Sequence, residues 1–382
     1  MKMLRLKYPG KNISVTGLAL LFVLSFCLFF SRDTVTAQSG LEITNLLAEG
    51  QFPLAITFSM QASGPYEISD VRLNYTVEHD SFVNVISEVS PTFSPSNEVN
   101  VSWTMDMRQS GGLPPGAGLN YWWTVEDTSG GTAITQPVTC IFNDSRFTWT
   151  SKTQGDLVFN WYGNSKDATQ SLLASSIQGL AELQDKTGAG LSRPVQVYIY
   201  ANTNDMLGAM IFPQEWTGAA TYSDFSTIII GLSGDNTWNT NTMIHELAHV
   251  VSYQISRNPY NGMPTWLNEG FSMYAEGSLD LYFSSTLTSA LNEGTTITVR
   301  TLSSPFPADS ALSYLSYAES YSVIDYLVLT YGQDKIYSLL KAFHYGIGYD
   351  DALITVYGLD LDTLYSDWLK FAITSYIGVG SV

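Results

Sequence analysis

The segment Met243-Ile244-His245-Glu246-Leu247-Ala248-His249 places two imidazoles four residues apart, with a carboxylate directly after the first. On a helix, residues four apart lie one turn from each other on one side, so both rings face a common point. Neutral imidazole is a good ligand for zinc. A carboxylate next to the first ligand is placed to take a proton from water held at such an ion. The neighbours Ile244, Leu247, Ala248 and Val251 are apolar, so the helix is expected to be buried.

Two histidines leave a hydrolytic zinc site one protein ligand short, because such sites have three plus water. The chain has only four histidines. After His249 comes a turn cluster, Ser256 to Gly262, and Pro264 then opens a second helical stretch, Pro264-Thr-Trp-Leu-Asn-Glu269-Gly-Phe-Ser-Met-Tyr-Ala-Glu276. An antiparallel neighbour would return Glu269 to the histidine pair. Glu276, seven residues later, falls on the same helix face. There it can hold the second ring nitrogen of a ligand histidine.

HExxH, then 19 residues to a Glu set in Trp-Leu-Asn-Glu-Gly-Phe-x-x-Tyr-x-Glu, resembles the gluzincin metallopeptidases, nearest to the peptidase MA-like and alanyl-aminopeptidase types. The resemblance spans roughly 155–376, with its specific core at 243–277. It implies a thermolysin-like domain, one Zn2+ on His245, His249 and Glu269, and Glu246 as general base. In these relatives a downstream Tyr or His stabilises the oxyanion. Tyr317 in Ser316-Tyr317-Ala-Glu-Ser-Tyr321 matches that Tyr best, Tyr321 lies one turn on, and His344 is the other histidine of this half. Gluzincins also bind peptide along a free sheet edge, which points to Gly218, Ala219 and Ala220, where small residues let a backbone approach. The Gly-x-Met-Glu-Asn segment by which aminopeptidases hold a free amine is not found, which favours internal cleavage.

The remaining chain must position these residues. Residues 41–150 carry short β-branched and aromatic runs (54–58, 71–77, 99–103, 121–125) separated by Gly/Pro clusters such as Ser63-Gly64-Pro65. That pattern predicts an immunoglobulin-like β-sandwich over about 38–145. Strands at 158–162, 195–200 and 227–231, a helix at 167–186, and almost continuous helix period from 237 onward predict an α+β domain over about 150–376, for which the gluzincin resemblance implies a small mixed sheet above a helical lower half.

Residues 1–37 have a basic leader, an apolar run from Gly17 to Phe30 and a small-residue exit at Val35-Thr36-Ala37. This is the layout of a signal peptide, so export to the surface or medium is expected. Its apolar core is short for a membrane span, and no second long apolar run follows. After cleavage only Cys140 is left, so a disulfide within the chain is not expected. The net charge of −18 would repel phosphate backbones and excludes sequence-independent nucleic-acid binding.

A second reading makes the chain an extracellular binding or adhesion protein. There the sandwich works and the metalloprotein half is a scaffold; both halves offer surface aromatic candidates, such as Trp122, Trp123 and Trp216. Glu246 speaks against it, because holding a metal does not need that residue. A hydrolase of other amides, such as a cell-wall peptide crosslink, would use the same site residues.

Overall fold

The computed structural model describes residues 35–36, 40–214, 217–260 and 262–378, which lie within the compact unit Thr34–Val382. The expected export segment, apart from Val35 and Thr36, and Trp216 fall outside them. Among the described residues, no helix is long and apolar enough to cross a membrane.

The first region comprises β1 (Val35–Thr36), β2 (Glu42–Gln51), β3 (Ala55–Glu78), β4 (Ser87–Val89), β5 (Ser96–Asp106), a one-turn α1 (Met107–Ser110), β6 (Ala117–Asp127), β7 (Thr132–Ile134) and β8 (Val138–Phe142). All eight strands are hydrogen-bonded into one antiparallel sheet, not into the two separate sheets of the expected sandwich. The reason is β3. Ser63-Gly64-Pro65, read as a turn, lies inside this 24-residue strand. Register shifts between Ser63 and Ile68, so the first half pairs with β2 and β5 and the second with β6. The bend closes the sheet over a shared core, with Phe58 against Tyr121 at a centroid distance of 5.0 Å. Trp123, expected at the surface, is fully buried in that core. Trp122 is half-buried.

The second region begins with β9 (Thr150–Gln154), β10 (Leu157–Trp161), α2 (Lys166–Thr187), β11 (Val195–Tyr200), α3 (Thr203–Leu207), β12 (Ala219–Tyr222) and β13 (Thr227–Gly231). The strand order is β12-β13-β11-β10-β9, with β10, β11 and β13 parallel and both edges antiparallel. Side chains alternate across a strand, and here both faces are covered. Val197, Ile199, Ile228 and Ile230 pack with Leu172, Met243 and Leu247 on the helix side. Tyr200 and Ile229 join the core of the first region on the other. The connection Asn143–Trp149 is packed as well. Its Asp144 is buried, holds Arg146 and accepts a hydrogen bond from the Tyr200 hydroxyl at 2.9 Å.

Helices follow: α4 (Asn236–Ser256), α5 (Thr265–Glu276), α6 (Leu281–Glu293), α7 (Val299–Leu302), α8 (Ser310–Tyr331), α9 (Asp334–His344), α10 (Tyr349–Tyr357) and α11 (Leu361–Ala372), the last continued by a π-helical turn. Asp235 caps α4 through the backbone N–H groups of Thr237 and Trp238, at 2.8 and 3.3 Å. On α5, Trp266, Leu267 and Phe271 are buried in one core with Val323, Ile324 and Leu327 of α8. Gly270 sets how closely α5 and α8 approach, since a Cβ there would stand 2.4 Å from the Ser320 carbonyl oxygen.

Glu319, on α8, is fully buried. Both its carboxyl oxygens accept from the Ile297 N–H, at 3.0 and 3.1 Å. Burial pushes its pKa from 4.5 up to about 8.

Two measurements check this packing. Gly270→Ala meets backbone that cannot give way, so urea unfolding is expected to show a loss of about 1–3 kcal/mol. Gly234→Ala, with nothing within 4 Å of the added methyl, should stay near neutral. For Glu319, the folded state holds its proton where the unfolded chain releases it. Its contribution to stability is therefore full below the unfolded pKa of 4.5 and is lost as pH rises through about 8. The stability of Glu319→Gln relative to wild type should accordingly rise across that window and level off above it.

Candidate metal centre

The α4 and α5 helices bring the sequence motif to one point. The Nε2 atoms of His245 and His249 lie 3.4 and 3.5 Å from the same oxygen, Glu269 Oε2. The two rings stand nearly perpendicular, at 84°, with centroids 4.7 Å apart. One ligand atom from each of the three residues falls within 4.8 Å of the others.

The outer ring nitrogens are both engaged. His245 Nδ1 is 2.7 Å from Glu276 Oε1, as the seven-residue spacing from Glu269 suggested. His249 Nδ1 is 3.0 Å from the Ser272 hydroxyl, and Ser272 is fully buried. Partners at Nδ1 fix each ring's orientation and leave Nε2 directed inward. Ser272 was not singled out from sequence. Its signal is spacing, because 269, 272 and 276 follow the i, i+3, i+7 pattern of one helix face.

The charges are tightly balanced. Burial disfavours a charged His245, yet the carboxylates of Glu269 and Glu276 override it and raise its pKa to about 10. Burial would raise Glu269, but the imidazoles of His249 and His245 hold it well below the usual carboxylate range. Two imidazoles, both supported from behind, and a carboxylate aimed at the same point fit a tetrahedral divalent ion with one open position.

Glu246 is held beside this point from the sheet. The Thr221 hydroxyl of edge strand β12 donates to Glu246 Oε2 at 2.5 Å. The strand thus reaches the site through Thr221, which sequence reasoning did not assign. Gly218, Ala219 and Ala220 are half-buried at the same sheet edge. The Trp238 ring covers Gly218, with its Cη2 atom 2.4 Å from where a Cβ would sit.

Tyr317 lines the same cavity as His249 and Glu269. Burial, and then the carboxylates of Glu269, Glu246 and Glu276, push its pKa strongly upward. Its hydroxyl therefore stays protonated and able to donate. Its ring packs edge-on against Phe306, 5.1 Å away. Tyr321 is placed elsewhere. It is buried 6.1 Å from Tyr274, beyond the cavity lining, and burial with nearby Asp325 raises it to about 12. His344 ends α9, its Nδ1 lies 3.0 Å from the Arg257 carbonyl, and it is not part of the cavity lining.

The Peptidase MA superfamily model matches residues 175–374, just over half the chain and all three inward-facing residues. No curated protein sequence matches. Among solved structures, the chain is similar to aminopeptidase A of Legionella pneumophila, crystallised with aspartic acid, at 10% identity and a TM-score of 0.35. That match covers 86% of this chain and 50% of the other, so this chain spans about half that enzyme's length. It is also similar to an aminopeptidase N family protein of Idiomarina loihiensis at 11% identity and a TM-score of 0.36, covering 84% and 74%. A shorter likeness is to BhCBM56, at 16% identity and a TM-score of 0.20, covering 28% of this chain and 98% of that one.

The supports behind the rings give a direct check. Glu276→Gln and Ser272→Ala should each weaken Zn2+ affinity by about 10–100-fold while leaving one site per chain, read by competition with a chromophoric chelator.

Proposed function

The chain belongs to the Peptidase MA superfamily, and from that premise we propose that it is an exported zinc-dependent peptidase that cuts within peptide chains. The observation that carries the reading is the convergence of both Nε2 atoms on Glu269 Oε2, with Glu246 anchored alongside by Thr221. The site needs a resident cation, and His245, His249 and Glu269 are the residues that would hold it. Zinc is the ion that suits two imidazoles and a carboxylate. When bound, it supplies Lewis acidity for water and for the scissile carbonyl.

The protein side of the reaction follows from the geometry. Glu246 Oε2 is engaged by Thr221. Its other oxygen is available to accept the proton of the attacking water and deliver it to the leaving nitrogen. The protonated Tyr317 hydroxyl donates to the oxygen on which negative charge develops. Among the described residues no strand pairs with the outer side of edge strand β12, where an extended peptide can add by main-chain hydrogen bonds. The cavity beside His249 and Glu269 measures about 1060 Å³. It holds several residues, which supports internal cleavage over removal of single terminal residues.

The test is digestion of a defined peptide mixture by the zinc-loaded chain, with products read by mass spectrometry. Internal cuts are expected, lost with a chelator and restored by zinc. Glu246→Gln should retain zinc and lose at least about 10²–10⁴-fold in rate, and Tyr317→Phe should lower kcat more than it changes KM. Intact peptides beside a zinc-loaded wild-type chain would contradict the reading.

A further inference from the structure

We propose that the first, all-β region supplies part of the substrate cleft, and that Phe82 selects peptides carrying large apolar side chains. This rests on the peptidase reading of the metal centre and names its substrate class.

The loop from His79 to Ile86, between β3 and β4, leaves the first sheet and reaches the cavity of the metal centre. Phe82 lines that cavity together with His249, Glu269 and Tyr317. The same lining carries a group of apolar and aromatic side chains, Tyr253, Met263, Phe306 and Tyr314, beside polar ones such as Ser256 and Asn268. Phe82 nevertheless remains 49% exposed, and its neighbours Val83, Val85 and Ile86 are 66%, 60% and 58% exposed. A large aromatic ring left open in a cleft lining, followed along the chain by further exposed apolar side chains, marks a surface built to be covered. Continuity with the metal centre identifies what covers it: the substrate segment running on from the scissile bond.

The loop is fixed, not merely adjacent. The Asp80 carboxylate bridges Arg193 and Arg257 and is only 10% exposed. The Asp80 N–H donates to the Asp224 carbonyl at 2.7 Å. His79 stands 5.6 Å from the Phe225 ring. The Arg257 guanidinium lies over the Phe82 ring at 4.1 Å from its centroid, so one face of the ring is backed by the second region. With Arg257 committed to Asp80 and Phe82, the cleft offers this end of a peptide an aromatic surface rather than a free cation.

The experiment uses the full chain as Glu246→Gln, loaded with zinc, and two acetylated, fluorescently labelled hexapeptides. One has two adjacent phenylalanines at its centre and the other has serines. Binding is read by anisotropy, without turnover. The phenylalanine peptide should bind at least about tenfold more tightly. Adding Phe82→Ala should bring the two within about threefold, with serine-peptide affinity and zinc content unchanged, and Phe82→Leu should restore most of the preference. Equal binding of the two peptides before Phe82 is changed, or a preference that survives Phe82→Ala, would overturn the proposal. Cleavage of both peptides by wild type is measured in parallel. A binding preference without cleavage contradicts the peptidase reading and leaves the cleft assignment standing, and cleavage without preference does the reverse.

Discussion

One cation can be shared by side chains of two helices only if those helices meet closely and in fixed register. Here α4 carries two of the three inward-facing groups and α5 the third. A slip of one residue along α5 would rotate Glu269 by about 100° and carry it off the histidine pair. The register is set from outside the site. The apolar face of α5, with Trp266, Leu267 and Phe271, is buried against α8, and Gly270 lets the two backbones nearly touch. The polar face, Glu269, Ser272 and Glu276, is thereby turned to α4. The same helix α8 brings Tyr317 to the cavity, so one packing contact aligns both the third inward-facing residue and the candidate oxyanion donor.

The sheet plays the second part. Its helix side buries α4 through Met243 and Leu247, and its edge strand fixes Glu246 through Thr221. Its other side is closed by the first region, whose core takes in Tyr200 and Ile229. The two regions thus share a core and are not joined by a free linker. The Asp80 bridge to Arg193 and Arg257 extends that contact to the rim of the cavity. A helix pair positioned from both sides in this way is rigid by construction, and a metal centre needs that rigidity.

Much of this was legible in the sequence because it is local. HExxH and the i, i+7 pair Glu269 and Glu276 encode helix faces, and the structure places all of them as their spacing required. From 237 onward helix follows helix, as the apolar period there suggested. What was not legible depends on distant partners. Ser63-Gly64-Pro65 has the composition of a turn, yet pairing with β2 and β5 on one side of the bend and with β6 on the other carries the strand through it. Trp123 is buried because β3 and β6 fold over one core. Thr221 and Phe82 carry no motif of their own, and only the tertiary arrangement brings them to Glu246 and the cavity. Tyr317 and Tyr321 sit one turn apart with similar surroundings in sequence, and packing against Phe306 or Tyr274 separates them.

The central claim is that His245, His249 and Glu269 together hold one catalytic zinc. X-ray absorption at the zinc edge of the purified, zinc-loaded chain tests it most directly. The account predicts one zinc per chain with two imidazole nitrogens at about 2.0–2.1 Å and oxygen ligands completing the shell, and no sulfur. In His245→Ala the signal of one imidazole should be lost. A shell made only of oxygens, a thiolate contribution from Cys140, or two imidazoles that persist in His245→Ala would contradict it.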